Sequence, residues 1–147
     1  MIIEPQFRTE FGDNLWSDKE RISRMLAFER CLANGQADVG IIPSKSATAI
    51  NSVEWDTVGT FTHIFAQSKT SGNLAIPFVE SLKLSLASQY PFAVPHVHFG
   101  ATSQDLLDTS MMLALAAAFD QIYSNLLDIE NLLTDLSERH KSTPMVG

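Results

Sequence analysis

The stretch "SQDLLDTSMMLALAAAFDQIYSNLLDIENLLTDLSERHKST", residues 103–143, contains neither glycine nor proline. No residue in it removes a backbone amide or forces a break, so it predicts one continuous helix over 103–141. At 1.5 Å per residue the whole run would measure roughly 60 Å. Met112, Leu115, Phe119, Ile122, Leu126, Ile129, Leu133 and Leu136 alternate spacings of three and four, which is a heptad seam. A second apolar line through Leu113, Ala116, Tyr123 and Leu127 widens the face. Stripes of this kind are ordinarily core. The rest of the chain supplies only short helices to cover it, so the seam calls for partner helices from other subunits, from further chain, or from both.

The head of this helix lies in "HVHFGATSQDLLDT", residues 96–109. Thr102, with Asp105 three residues on, reads as an N-cap with a capping-box carboxylate. The same free amides, helix dipole and pair of hydroxyls at Thr102 and Ser103 also make a seat for a carboxylate or phosphate. Gly100 allows an unusual backbone turn just before it. Two prolines, Pro91 and Pro95, predict an extended 90–95, which puts His96 and His98 in an extended approach segment, both facing one site. Either imidazole could transfer a proton or hold an anion. His-x-His is also a metal-ligand spacing, but without a nearby cysteine or further histidine cluster no metal is expected. His63 reads as a core histidine, and His140 as a cation placed favourably in the last turn of the long helix.

Toward the N-terminus, residues 1–16 show no sustained periodicity. Ser17-Asp18-Lys19-Glu20 then has the form of a capping box and predicts a helix from about residue 18. Ile22, Met25, Leu26, Leu32 and Ala33 give that helix one apolar face, and Gly40 through Pro43 ends it. Pro43 can open a short helix to about Asn51. Residues 54–70 predict another helix closed by Gly72, and Pro77 suits the first turn of a further helix reaching about Ser88.

Composition bounds the function classes. With 147 residues, 45% hydrophobic and 18% charged, the chain has material for a real core. Its net charge of -7, without a basic cluster, disfavours nucleic acid as a partner. The apolar windows are interrupted well before the roughly 20 residues that a membrane span requires, so no membrane partner is expected. Cys31 is the only cysteine and nothing at the N-terminus resembles a secretion signal, which favours the cytoplasm.

The motif "VHFGATSQDLLDT" at 97–109 resembles the first signature region of the fumarase, aspartase and adenylosuccinate lyase superfamily. Its Gly-Ala-Thr-Ser-Gln-Asp form is most similar to the 3-carboxy-cis,cis-muconate cycloisomerases, the lactonizing enzymes. "WSDKERISRMLAFERCLANGQADVGIIP" at 16–43, "SGNLAIPFVESLK" at 71–83 and "HKSTPMVG" at 140–147 agree in order. The resemblance implies an all-α fold: an N-terminal helical domain over 1–100 leading into the first very long helix, 101–147, of a central bundle. It also implies a homo-oligomer, a tetramer in the family, assembled through the long helices with active sites shared among subunits.

By the same resemblance, Thr102, Ser103 and Gln104 lie at substrate-binding positions for a small carboxylate. His98 matches the histidine before the Gly-x-Thr-Ser motif and is the catalytic candidate, with His96 and Asn73 as further binding candidates. Gly72-Asn73 stand where adenylosuccinate lyases usually carry a His-Asp pair, which favours the cycloisomerase branch. Family enzymes continue past the "TPMVG" element to a mobile loop carrying the catalytic serine, so the resemblance implies a piece of a longer enzyme or a short paralogue. The reaction implied is a cofactor-independent, reversible lactonisation of a carboxylated muconate in the protocatechuate branch of aromatic degradation, the beta-ketoadipate pathway. Another lyase of the superfamily, releasing fumarate, and a non-catalytic helical oligomerisation module stay open as alternatives.

Overall fold

The computed structural model describes residues 5–54, 56, 58 and 61–144. Among the described residues six helices carry the fold: α1 Glu10–Leu15, α2 Asp18–Asp38, α3 Ser44–Asn51, α4 Phe61–Ser71, α5 Ala75–Ala87 and α6 Ser103–His140. Short 3-10 turns occur at Pro5–Phe7 and Val94–His96, and no strand is found among the described residues. The chain divides into two compact units, residues 1–114 and 115–147.

Local chemistry explains where the helices of the first unit start and stop. Ser17 Oγ accepts from the Glu20 amide at 3.2 Å and begins α2 where the capping box predicts. At the other end Gly40, at φ 76°, closes a Schellman motif. Its own amide donates to Ala37 O, and the Ile41 amide donates to Gln36 O at 2.8 Å. Gly72, at φ 80°, follows the end of α4 in the same left-handed region. The short α1, which periodicity did not reveal, is capped by Thr9 Oγ1, which accepts from the Gly12 amide.

Ile22, Met25 and Leu26 of α2, Ile50 of α3, Phe78 and Leu82 of α5 and Leu106 of α6 are all buried in one core. α2 packs on α3 and α4 on α5. The first turns of α6 join this unit, with Leu106, Ser110 and Ala114 buried. Beyond them the expected seam is laid out as an open apolar face: Phe119, Ile122, Leu126, Ile129, Leu133 and Leu136 are exposed in the single chain.

Three expectations are corrected. The helix predicted over 54–70 begins only at Phe61, and Glu54, Asp56 and Val58 lie outside it. Val53, Thr57, Val58 and Thr60, with Gly59, make that N-terminal half a poor helix former. Four of the residues concerned, 55, 57, 59 and 60, lie outside the described residues. His63, expected in the core, is exposed, because Ile64 takes the buried register of α4. Residues 90–95 are folded back in turns, not extended. Pro91 and Pro95 each sit second in a turn, closed by the Ala93 amide on Tyr90 O and the Val97 amide on Val94 O. Proline favours that position as much as it favours extended chain.

Candidate functional site

The site is built where the turn region 96–102 meets α2. Along α2 the buried residues are Ile22, Met25, Leu26, Glu29 and Ala33. An acid therefore stands in the apolar stripe, and Glu29 is only 1% exposed. A buried carboxylate must find donors. Glu29 finds two on one residue: Oε2 accepts from the His98 amide at 3.0 Å, and Oε1 lies 2.6 Å from His98 Nδ1. The Phe28 ring stands beside the imidazole, with centroids 6.4 Å apart.

His98 itself adopts φ 59°, the one non-glycine positive φ among the described residues. That conformation costs about 1–2 kcal/mol for an L-residue, and the two-point grip of Glu29 offsets it. This backbone ends the alternation on which a common facing of His96 and His98 was predicted. His96 sits in the 3-10 turn, and its Nδ1 is buried without a hydrogen-bond partner. Two turns along α2 from Glu29, Gln36 Nε2 donates to Phe99 O at 2.6 Å, and Gly100 follows at φ 70°. α2 thus holds the backbone of the turn region at two adjacent residues.

From Gly100 the chain enters α6 through a reciprocal cap. The Thr102 amide and Oγ1 both donate to Asp105 Oδ2 at 2.8 Å, and the Asp105 amide donates back to Thr102 Oγ1 at 3.3 Å. These bonds, the backbone one first, hold the Asp105 carboxyl below its ordinary range, with a smaller electrostatic contribution from His98. Thr102's donors are committed to the cap, which leaves the first-turn amides of Ser103 and Gln104 as those the helical pattern does not use. Ser103 is half-buried and Thr102 exposed. The Gln104 side chain is turned along the helix, its Nε2 donating to Asp108 Oδ1.

Asn73 is engaged elsewhere. Its Oδ1 accepts from the Ile76 amide at 3.2 Å and caps the first turn of α5, while its carbonyl accepts from Ser71 Oγ. A separate cavity of about 140 Å³ is lined by Trp16, Arg21, Arg24, Leu107, Ser110, Met111 and Ala114. Burial there pushes the Arg24 guanidinium down, and its Nη2 donates to Leu15 O. Among the described residues no group of three or more His, Cys, Asp and Glu side chains could hold a metal ion, and no helix is long and apolar enough to cross a membrane.

Sequence reasoning singled out His98, Thr102 and Ser103 but missed Glu29 and Gln36. Glu29 carried a readable signal, an acid in register with Ile22, Met25 and Ala33. Its partner, 69 residues away, carried none.

A family model described as "Lyase" matches residues 4–147. The chain is 39% identical to the 3-carboxy-cis,cis-muconate cycloisomerase of Pseudomonas putida over 99% of its own length and 35% of that protein's. It superposes on the crystal structure of the 3-carboxy-cis,cis-muconate lactonizing enzyme from Pseudomonas putida with a TM-score of 0.89 at 35% identity, covering 96% of this chain and 32% of that one. The fumarate lyase from Mesorhizobium sp. BNC1 gives a TM-score of 0.85 at 26% identity, covering 100% and 34%. The chain thus spans about a third of the length of the relatives it matches.

Proposed function

Because the chain belongs to the lyase family, the helical group of the fumarase and aspartase type, we propose that it supplies part of a carboxylate-handling site in a cycloisomerase. The substrate is a small polycarboxylate of the carboxylated muconate kind, and the reaction a reversible lactonisation that needs no cofactor. One substrate carboxylate adds across a double bond, while a proton is transferred to carbon. The observation that carries this reading is His98, fixed by Glu29, five residues ahead of the first-turn amides of Ser103 and Gln104, which the helical pattern leaves unused at the head of a 38-residue helix. Amides and dipole seat one carboxylate, and the imidazole contributes a second polar contact or a proton.

In this reading Ser103 and the helix head are the anchors, and His98 is the catalytic candidate. Thr102 frames the seat by capping the helix, and His96, Gln104 and Asn73 are secondary contacts. The main proton-transfer serine is expected outside these residues, so the 147 residues alone should bind and not turn over. The open apolar face of α6 supports a homo-oligomer assembled through that helix, a tetramer by family analogy. The similarity to cycloisomerases supports a place in the protocatechuate branch of aromatic degradation, and the single cysteine supports the cytoplasm. The same face gives a non-catalytic assembly module its one supporting observation.

Citrate, a stable tricarboxylate, tests the site directly. Titrated into the isotope-labelled chain, it should shift the Ser103 and Gln104 amides and the His98 ring saturably, and Ser103→Ala should weaken the effect. Shifts confined to other surfaces, or none at all, would refute the carboxylate seat and leave the assembly reading.

A further inference from the structure

We propose that Glu29 is a positioning residue that selects the ring tautomer of His98, so that Nδ1 carries the hydrogen and Nε2 is the nitrogen left to meet a substrate carboxylate or proton. The second half of this statement rests on the carboxylate-site reading above. The first half stands on the buried Glu29–His98 contact, with Glu29 as the carboxylate.

An ionised Glu29 has acceptors only, so with the acid in that form the 2.6 Å contact between Glu29 Oε1 and His98 Nδ1 places the hydrogen on Nδ1. A neutral imidazole in water favours the other tautomer, with hydrogen on Nε2, so this environment reverses the ordinary preference. The Glu29 side chain is 1% exposed and the His98 side chain 14% exposed, which keeps water from substituting for either partner. The other carboxylate oxygen binds the His98 amide, and so fixes the left-handed backbone from which the ring departs. One buried acid therefore sets backbone, ring orientation and tautomer together, as second-layer carboxylates do for histidines that must present a chosen nitrogen.

Glu29→Gln is the informative substitution because it keeps shape and changes hydrogen-bond sense. Its single carbonyl oxygen can accept from the His98 amide, and its NH₂ must then face Nδ1 as a donor. The variant should retain the fold while moving the hydrogen to Nε2. Glu29→Asp keeps two acceptors and should preserve the Nδ1–H form.

Long-range ¹H–¹⁵N correlation on the histidine-labelled chain at mildly alkaline pH reads the tautomer without a ligand. The expected result is Nδ1–H in the wild type and Nε2–H in Glu29→Gln, with a citrate affinity lowered about tenfold in the latter and preserved in Glu29→Asp. An Nε2–H wild type, or a tautomer unmoved by Glu29→Gln, overturns the assignment. If Glu29→Gln does not fold, the wild-type tautomer and its retention in Glu29→Asp decide the matter. Tautomers as expected with no citrate response of His98 in any variant would leave Glu29 as the tautomer-setting group and refute the carboxylate half of the proposal.

Discussion

Replacing Leu126 and Leu133 with alanine asks whether the open face of α6 is an assembly surface, and the structure supplies the size of the answer. The two side chains are 56% and 60% exposed in the single chain. Burying a leucine fully is worth about 1.5–3 kcal/mol, so covering the part still open contributes about 1–2 kcal/mol per side chain. Losing both should weaken association by about 2–4 kcal/mol per copy, a factor of roughly 30 to 700 in the dissociation constant for each copy's face that the contact covers. Alanine is the strongest helix former, so the helix itself should persist and its circular dichroism should hardly change. Sedimentation velocity over a dilution series should then show dissociation in the variant at concentrations where the wild type stays associated. Lysine at the same two positions adds the burial of charge and should dissociate the assembly outright. A wild type that is monomeric throughout, or an assembly whose size survives the lysine pair, would refute the argument from the seam.

Other expectations follow from the head of α6. Thr102→Ala removes the capping oxygen and should destabilise the first unit by about 1 kcal/mol in a denaturant melt, whereas Ser103→Ala should leave stability nearly unchanged and weaken citrate binding. Asp105 has a folded pKa depressed below its ordinary 3.8 by Thr102, so its contribution to stability is fully present above that value. The contribution is lost as pH falls through the lower folded value; the stability gap between wild type and Asp105→Asn should be constant near neutrality and close in strong acid, as urea melts across pH can check. Gly100→Ala meets open space, its Cβ no nearer than 4.0 Å to Gln36 Nε2, yet must hold φ +70°. A loss of about 1–2 kcal/mol is expected, and an unchanged melting temperature would show that the turn can relax.

Much of the fold was legible because its signals are local. The Ser17–Glu20 box, the glycines at 40 and 72 and the uninterrupted run after Ser103 each act within one or two turns, and each fixes an observed helix end or helix. The turn region was illegible for the opposite reason. Proline at 91 and 95 is compatible with both turn and extended chain, and the residue types do not say which; the observed turns are closed by the Ala93 and Val97 amides. The left-handed His98 depends on a carboxylate 69 residues away, a relation that no pattern within the stretch encodes. His63 shows the complementary failure: apolar neighbours suggested burial, and only the register of α4 around Ile64 decided which face it took.

The cap reading and the anion-seat reading of "GATSQD" draw on one set of donors, and the structure divides that set. Thr102 gives its amide and hydroxyl to Asp105, so the helix carries a built-in anion at its positive end before any ligand arrives. An incoming carboxylate at the proposed seat then meets a like charge in Asp105 and must be compensated by the remaining amides and by the imidazole. Under the proposed reading, selectivity for a ligand with more than one carboxylate follows: a single acid gains little against Asp105, whereas a polyacid can set one group on the amides and another against His98. Under the same reading the buried Glu29 completes this division by holding the ring for the ligand while the cap stays closed.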